Sequence, residues 1–202
     1  MVSGMMRGMA RCVAFLRAIN TGRRRVAMER LRELFEEAGF AEVATFIASG
    51  NVIFSTAARD TAKLETRIEK VLREGLGYEV ETYVRTLEEV QAIAAGDPFG
   101  GDAREDGGDD DGGEAWSLYV GFFKEPPAAA TARAFEAVTT ANDRFLVVGR
   151  EWYWRRRGGV ADADVWTTPA MRAVKLPVTT MRNTTSVRKL VARHGRAEGR
   201  AM

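Results

Sequence analysis

The chain has almost none of the residues on which recognisable chemistry usually depends. Among 202 residues there is one cysteine, Cys12, and one histidine, His194. A single thiol cannot close an internal disulfide or build a multi-thiolate metal site, and a single imidazole removes every mechanism that needs two. No apolar run approaches the roughly 18 to 20 residues of a membrane span, and the start Met1 to Arg11 has no continuous apolar stretch before a cleavage site. A cytoplasmic location without a membrane partner is expected. P-loop, nucleophile elbow, dinucleotide glycine fingerprint and spaced carboxylate cluster are all missing. The sequence calls for no metal and no cofactor, and it points to a binding or interaction module before an enzyme.

What is present is the mixture of a globular protein, with 46% hydrophobic, 29% charged and 9% aromatic residues, which excludes a disordered or fibrous chain. The net charge of +2 hides an uneven distribution. Residues 1–96 carry +1, residues 97–114 carry −7, and residues 115–202 carry +8. The acidic stretch from Gly100 to Gly113 is glycine and carboxylate with no apolar side chain larger than alanine. Ordering it would cost backbone entropy without burial, so 97–114 is expected to be a flexible linker. As a calcium loop it fails, because Asp109-Asp110-Asp111-Gly112 lacks the spaced ligands and the closing glutamate.

Both flanks share one rhythm. Arg11–Ile19 is rich in strand formers; Met28, Leu31, Leu34, Phe35 and Ala38 then recur at helical spacing, with Gly39 to stop them. Strands are expected over Glu42–Ile47 and Asn51–Phe54, a helix from Asp60 or Thr61 with Leu64, Ile68, Val71 and Leu72 inward, and a strand over Tyr78–Val84. Leu87, Val90, Ile93 and Ala94 add a helix. After the linker, Trp116–Phe123, a helix opened by Pro126-Pro127, Phe145–Val148, Trp152–Trp154, a short helix at Thr168-Pro169, Val178–Met181 and a helix from Thr184 or Thr185 repeat the pattern. Each half reads βαββαβ, so the expected class is α+β with two ferredoxin-like halves, 10–96 and 115–195, from an internal duplication. The first strand is apolar on both faces, with Val13, Phe15 and Ile19 on one and Cys12, Ala14 and Leu16 on the other. The face away from the helices should therefore also be dry, and the second half is the simplest cover for it.

The stretches Ala14-Phe15-Leu16-Arg17-Ala18-Ile19-Asn20-Thr21-Gly22, Val26-Ala27-Met28 and Glu37-Ala38-Gly39-Phe40 resemble an uncharacterised bacterial family known as domain of unknown function 1697. So do Thr45-Phe46-Ile47-Ala48-Ser49-Gly50-Asn51-Val52-Ile53-Phe54, Tyr153-Trp154, and Thr180 with Arg182-Asn183. The resemblance implies two ferredoxin-like halves and brings no activity with it. Where such proteins usually carry glycine this chain has Ala18 and Arg23, and the tail Arg182-Asn183-Thr184-Thr185-Ser186-Val187 lacks their tryptophan and second asparagine.

Two candidate sites follow from the residues. Arg17, Asn20, Thr21 and Gly22 precede a helix N-terminus, and Ser49 and Asn51 come from a turn that the βαββαβ order brings to the same sheet. Turn amides, amide side chains and arginine suit a small anion, since first-turn N–H groups are unpaired and the helix dipole is positive there. The plainer account has the glycines shaping turns, Asn51 bonding backbone and Arg23 to Arg25 in solvent. The alternative partner is single-stranded nucleic acid, with Trp152 and Trp154 stacking bases and Arg155, Arg156 and Arg157 meeting phosphates. Against it, period two puts both tryptophans on one face, where core packing is the usual fate. A second alternative is an enzyme acting on a phosphorylated small molecule through scattered polar residues. Cys12 is expected to be a small buried hydrophobe, and His194, in a basic tail, to be exposed.

Overall fold

The computed structural model describes residues 8–22, 25–47, 50–100, 116–160 and 163–195. Two compact units emerge: residues up to Ala94 together with those from Lys189 onward, and Ala95–Arg188. The linker expected over 97–114 falls largely on residues outside the described set.

In the first unit, β1 (Ala10–Leu16), α1 (Met28–Glu37), β2 (Ala41–Phe46), β3 (Asn51–Thr56), α2 (Thr61–Leu76), β4 (Thr82–Thr86) and α3 (Leu87–Ala95) follow one another. The sheet order is β2-β3-β1-β4 with every neighbour antiparallel. This is the ferredoxin-like arrangement that the spacing implies. Helix α1 turns Leu31, Leu34 and Phe35 inward and pairs Arg30 with Glu33 and Glu37, and Arg32 with Glu36, on its wet face. Asp60 caps α2 by accepting from the Lys63 N–H at 3.1 Å, and Gly77 ends it in the left-handed region at φ 78°. Gly75 lies inside the helix. A Cβ there would meet Leu34 Cδ2 at 2.2 Å, so this glycine lets α1 and α2 approach each other.

The core under the helices holds Cys12, Ala14 and Leu16 of β1 with Phe35, Phe54, Leu64, Ile68 and Val84. Val13, Phe15, Ile53, Tyr83 and Arg85, on the other face, are just as inaccessible. Both faces of the sheet are dry, as its lack of clean alternation implies.

The second unit contains β5 (Trp116–Phe122), α4 (Ala129–Glu136), β6 (Asp143–Val148), β7 (Glu151–Arg157), α5 (Pro169–Ala173) and β8 (Thr180–Asn183); α6 (Thr184–His194) leaves it at Lys189. The order β6-β7-β5-β8, again antiparallel throughout, repeats that of the first unit. Pro126 and Pro127 stand just before the N-cap Ala128 rather than inside α4. Thr168 caps α5 by accepting from the Met171 N–H, with Pro169 at the first turn. A 3-10 turn over Asp164–Thr167, absent from the sequence reading, buries Val165. The core is aromatic: Phe135 meets the Trp152 ring edge-on at 5.4 Å, and Phe145 stacks on Trp154 at 6.0 Å. Trp116 is half-buried at the start of β5, with the Arg155 guanidinium 4.5 Å over its ring.

One edge strand of each sheet has backbone N–H groups taken up by a helix carboxylate. On edge strand β4, the Thr82 and Val84 N–H groups donate to Glu69 and Glu65 of α2 at 2.9 and 2.8 Å. On edge strand β6, the Val147 N–H donates to Glu136 of α4 at 2.8 Å. A helix carboxylate thus occupies donors that would otherwise invite another strand.

Candidate functional site

The loop after β1 and the turn between β2 and β3 are neighbours because the register sets Phe15 opposite Asn51, and the Leu16 N–H donates to the Gly50 carbonyl at 2.8 Å. The two chain segments singled out from sequence therefore meet at one end of the first sheet. Ser49, with Arg23 and Arg24, lies outside the described residues.

Each remaining member has a definite placement. The Arg17 N–H donates to the Glu81 carbonyl, and its exposed guanidinium donates to the Glu81 carboxylate at 2.8 Å. Asn20 organises the loop: its Oδ1 accepts from the Val26 N–H at 2.7 Å and its carbonyl accepts from Arg25 Nη1 at 2.9 Å. Thr21 Oγ1 donates to the Ala18 carbonyl at 3.2 Å, and Gly22 is left-handed at φ 59°. Asn51 is 2% exposed and donates through Nδ2 to the Phe46 carbonyl at 3.1 Å, tying the ends of the β2–β3 turn. Arg17, Asn20, Thr21 and Gly22 thus share one loop, with Asn51 buried beneath the adjoining turn.

The backbone of this corner is unusual. Ala18 and Asn20 have φ 55° and Ile47 has φ 51°, conformations that cost an L side chain about 1 to 2 kcal/mol. Among the described residues the remaining non-glycine case is Glu42, at φ 49°, where β2 and β3 slip register in a bulge. Helix α1 starts beside the loop with Ala27 at its N-cap and no side-chain acceptor for its first-turn N–H groups. The topologically equivalent place in the second unit repeats the sheet bond, Phe123 N–H to the Arg150 carbonyl at 2.8 Å, beside left-handed Gly149, and α4 also starts at an uncapped alanine.

The aromatic and basic run of the second unit has a different character. The sequence ends that strand at Trp154, whereas β7 continues to Arg157, so the three arginines are strand residues on alternating faces. Trp152 and Trp154 are 2% and 0% exposed, inside the aromatic core. Trp152 Nε1 donates to Thr179 and Trp154 Nε1 donates to Asp143. Arg156 donates to Asp143 and to the Gly159 carbonyl, Arg155 is 9% exposed, and Arg157 is half-buried. Stacking a base on either indole would require opening this core.

Burial pushes the Cys12 thiol up to about 11, with the Glu89 carboxylate adding to the effect, as suits a small buried hydrophobe. His194 departs from expectation. Its ring packs edge-on against Phe46 at 6.1 Å with Nε2 buried, and burial, Arg11 and Arg193 together hold its pKa below the usual histidine value. The tail is anchored beside it, since Gln91 Nε2 donates to the Gly195 carbonyl at 3.0 Å. Among the described residues no group of acidic, histidine or cysteine side chains could hold a metal ion. No helix among them is long and apolar enough to cross a membrane.

Comparison with known proteins agrees with the duplicated fold. A solved structure, that of a conserved bacterial protein from Streptococcus pneumoniae, is similar with a TM-score of 0.67 over 93% of this chain and 99% of its own. At 19% identity the likeness shows the fold alone. No curated protein matches the sequence significantly. The pattern of an uncharacterised family matches residues 9–153, which cover the strands of the first unit and reach into β7 of the second, and the chain belongs to that family, described as protein of unknown function DUF1697.

Proposed function

We propose that the protein is a binding module for a small anion, with its site at the corner formed by the loop after β1 and the β2–β3 turn. The observation that carries this reading is the concentration of left-handed, non-glycine backbone at Ala18, Asn20 and Ile47. Strain of this kind is retained where a loop must hold one shape, and it gathers at ligand sites. The chemistry of the corner is consistent with that role. Arg17 and Arg25 supply positive charge on the surface, and α1 contributes N–H groups that no side chain caps. Glu81 holds Arg17 in place and would be displaced by, or share the guanidinium with, an arriving anion.

The test is a thermal-shift screen of inorganic phosphate, nucleotides and phosphorylated metabolites, followed by calorimetry of any hit on the Arg17→Gln variant. A ligand at 100 times its Kd stabilises by about 2.7 kcal/mol. Saturable binding weakened by Arg17→Gln supports the site. Binding unaffected by that change, or no stabilisation by any compound, overturns it. Turnover of a phosphorylated hit would extend the reading to an enzyme.

A further inference from the structure

A cleft of about 320 Å³ opens at the start of β1, at the far end of the first sheet from Arg17 and Asn51. Arg11 and Cys12 of β1, Arg59 and Thr61 at the entry to α2, and Leu87 and Glu88 at the start of α3 line it. The volume is at the small end of the range for metabolite pockets.

Its polar groups are poorly matched to one another. Arg59 donates Nη2 to the Gly8 carbonyl at 2.7 Å, and among the described residues no carboxylate lies within ion-pair distance of it. Arg11 reaches Glu42 only at 3.8 Å, beyond a good hydrogen bond, and its buried Nε has no hydrogen-bond partner among the described residues. Buried N–H groups without acceptors are uncommon in proteins and call for an explanation. Two helices, α2 and α3, begin at the same cleft, each with a carboxylate already at its start, Asp60 on α2 and Glu88 and Glu89 on α3, so the positive charge of the cleft rests on Arg11 and Arg59. Leu87, 9% exposed, gives the cleft its apolar wall, and Cys12 beside it is buried at 1%.

We propose that this cleft binds a small organic anion, its carboxylate or phosphate held by Arg11 and Arg59 and its carbon skeleton resting on Leu87. Glu88 sets the selectivity. Its carboxylate lines the same space, so it opposes a second negative charge and favours a ligand with one anionic end. The site is separate from the corner at Arg17, and the two can fail independently.

The experiment is an NMR titration of the full chain with glycerol 3-phosphate and with 3-hydroxybutyrate, which separates phosphate from carboxylate as the source of the charge. At least one probe should shift the Cys12, Thr61 and Leu87 amides saturably. Arg59 is exposed, so Arg59→Gln should fold normally and raise the Kd by about tenfold, the usual worth of a charge-assisted hydrogen bond. Glu88→Gln should tighten the more highly charged glycerol 3-phosphate more than 3-hydroxybutyrate, and Arg144→Gln, an exposed position of the second unit outside both proposed sites, should leave both unchanged. The proposal is overturned if neither probe shifts those amides at tens of millimolar, or if Arg59→Gln binds as well as the parent.

Discussion

Arg156 donates to Asp143 at 2.8 Å with the two side chains 5% and 2% exposed, making a buried ion pair at the heart of the second unit. The same carboxylate accepts from Trp154 Nε1 at 2.9 Å and from Thr140 Oγ1 at 2.7 Å. Asp143→Ala strands a buried guanidinium and should cost about 3 to 5 kcal/mol in urea unfolding. The double change Asp143→Ala with Arg156→Ala should cost clearly less than the two single losses added together. Additive losses would mean that the pair is not coupled.

Gly121 lies opposite Trp152 in the β5–β7 ladder, and a Cβ on it would fall 1.8 Å from Trp152 Cε2. The indole is fixed by its bond to Thr179 and cannot move aside cheaply. Gly121→Ala should therefore destabilise by at least about 2 kcal/mol, although alanine lowers the entropy of the unfolded chain. Thermal unfolding checks this, and a Tm equal to the parent's would show that the ring repacks freely.

Ala18 holds φ 55°, in the left-handed region that favours glycine. Relief of left-handed strain outweighs the greater freedom of glycine in the unfolded chain, so Ala18→Gly should stabilise by about 0.5 to 1 kcal/mol. A lower Tm would mean that the methyl group contributes packing that offsets the strain.

The pKa of His194 is lowered in the folded chain by burial first and then by Arg11 and Arg193, from an ordinary value of 6.5. Glu42, beside Arg11, tempers that repulsion only partly. Below pH 6.5 the unfolded chain takes up the proton first, so stability falls with pH until the folded pKa is passed, and it is unaffected above. The Tm of His194→Leu should vary less than that of the parent between pH 7.5 and 5, as an order-of-magnitude window set by the histidine titration. Parallel curves would refute the assignment.

Cys12 is 1% exposed with its pKa pushed up to about 11. At pH near 8, where the thiolate is scarce, a disulfide reagent should leave the folded protein unmodified and label one thiol per chain once urea unfolds it. Rapid labelling without denaturant would show that the first unit opens readily.

Strand and helix order was legible because each element carries its own period. Leu31, Leu34 and Phe35 announce α1, and the alternation of Trp152 and Trp154 announces a strand with one buried face. The end of β7 was not legible, since three successive arginines look like surface until Asp143, thirteen residues earlier, is known to face one of them. Glu65, Glu69 and Glu136 escaped notice for the same reason, because their edge-strand partners are distant in sequence. At the corner after β1, the plainer account foretold Asn51 bonding backbone, whereas nothing in the residue types said that Asn20 would organise its loop. The left-handed backbone at Ala18 and Ile47 left no trace, because neither residue type favours it. His194 read as exposed because its neighbours are charged; Phe46, which packs against it, is remote along the chain.

Pro126 and Pro127 make the two copies of the unit chemically unequal. Both copies bring a strand end, a left-handed glycine and an uncapped helix together, but the connection in the first offers the polar run around Asn20, while that in the second loses two N–H donors to the pyrrolidine rings. A ligand that reads backbone amides at this kind of junction meets donors in one copy that the two proline rings remove from the other. Titration at the junction should therefore saturate at a single equivalent per chain. Duplication would then have left a second copy free to diverge in packing without bringing a second binding event.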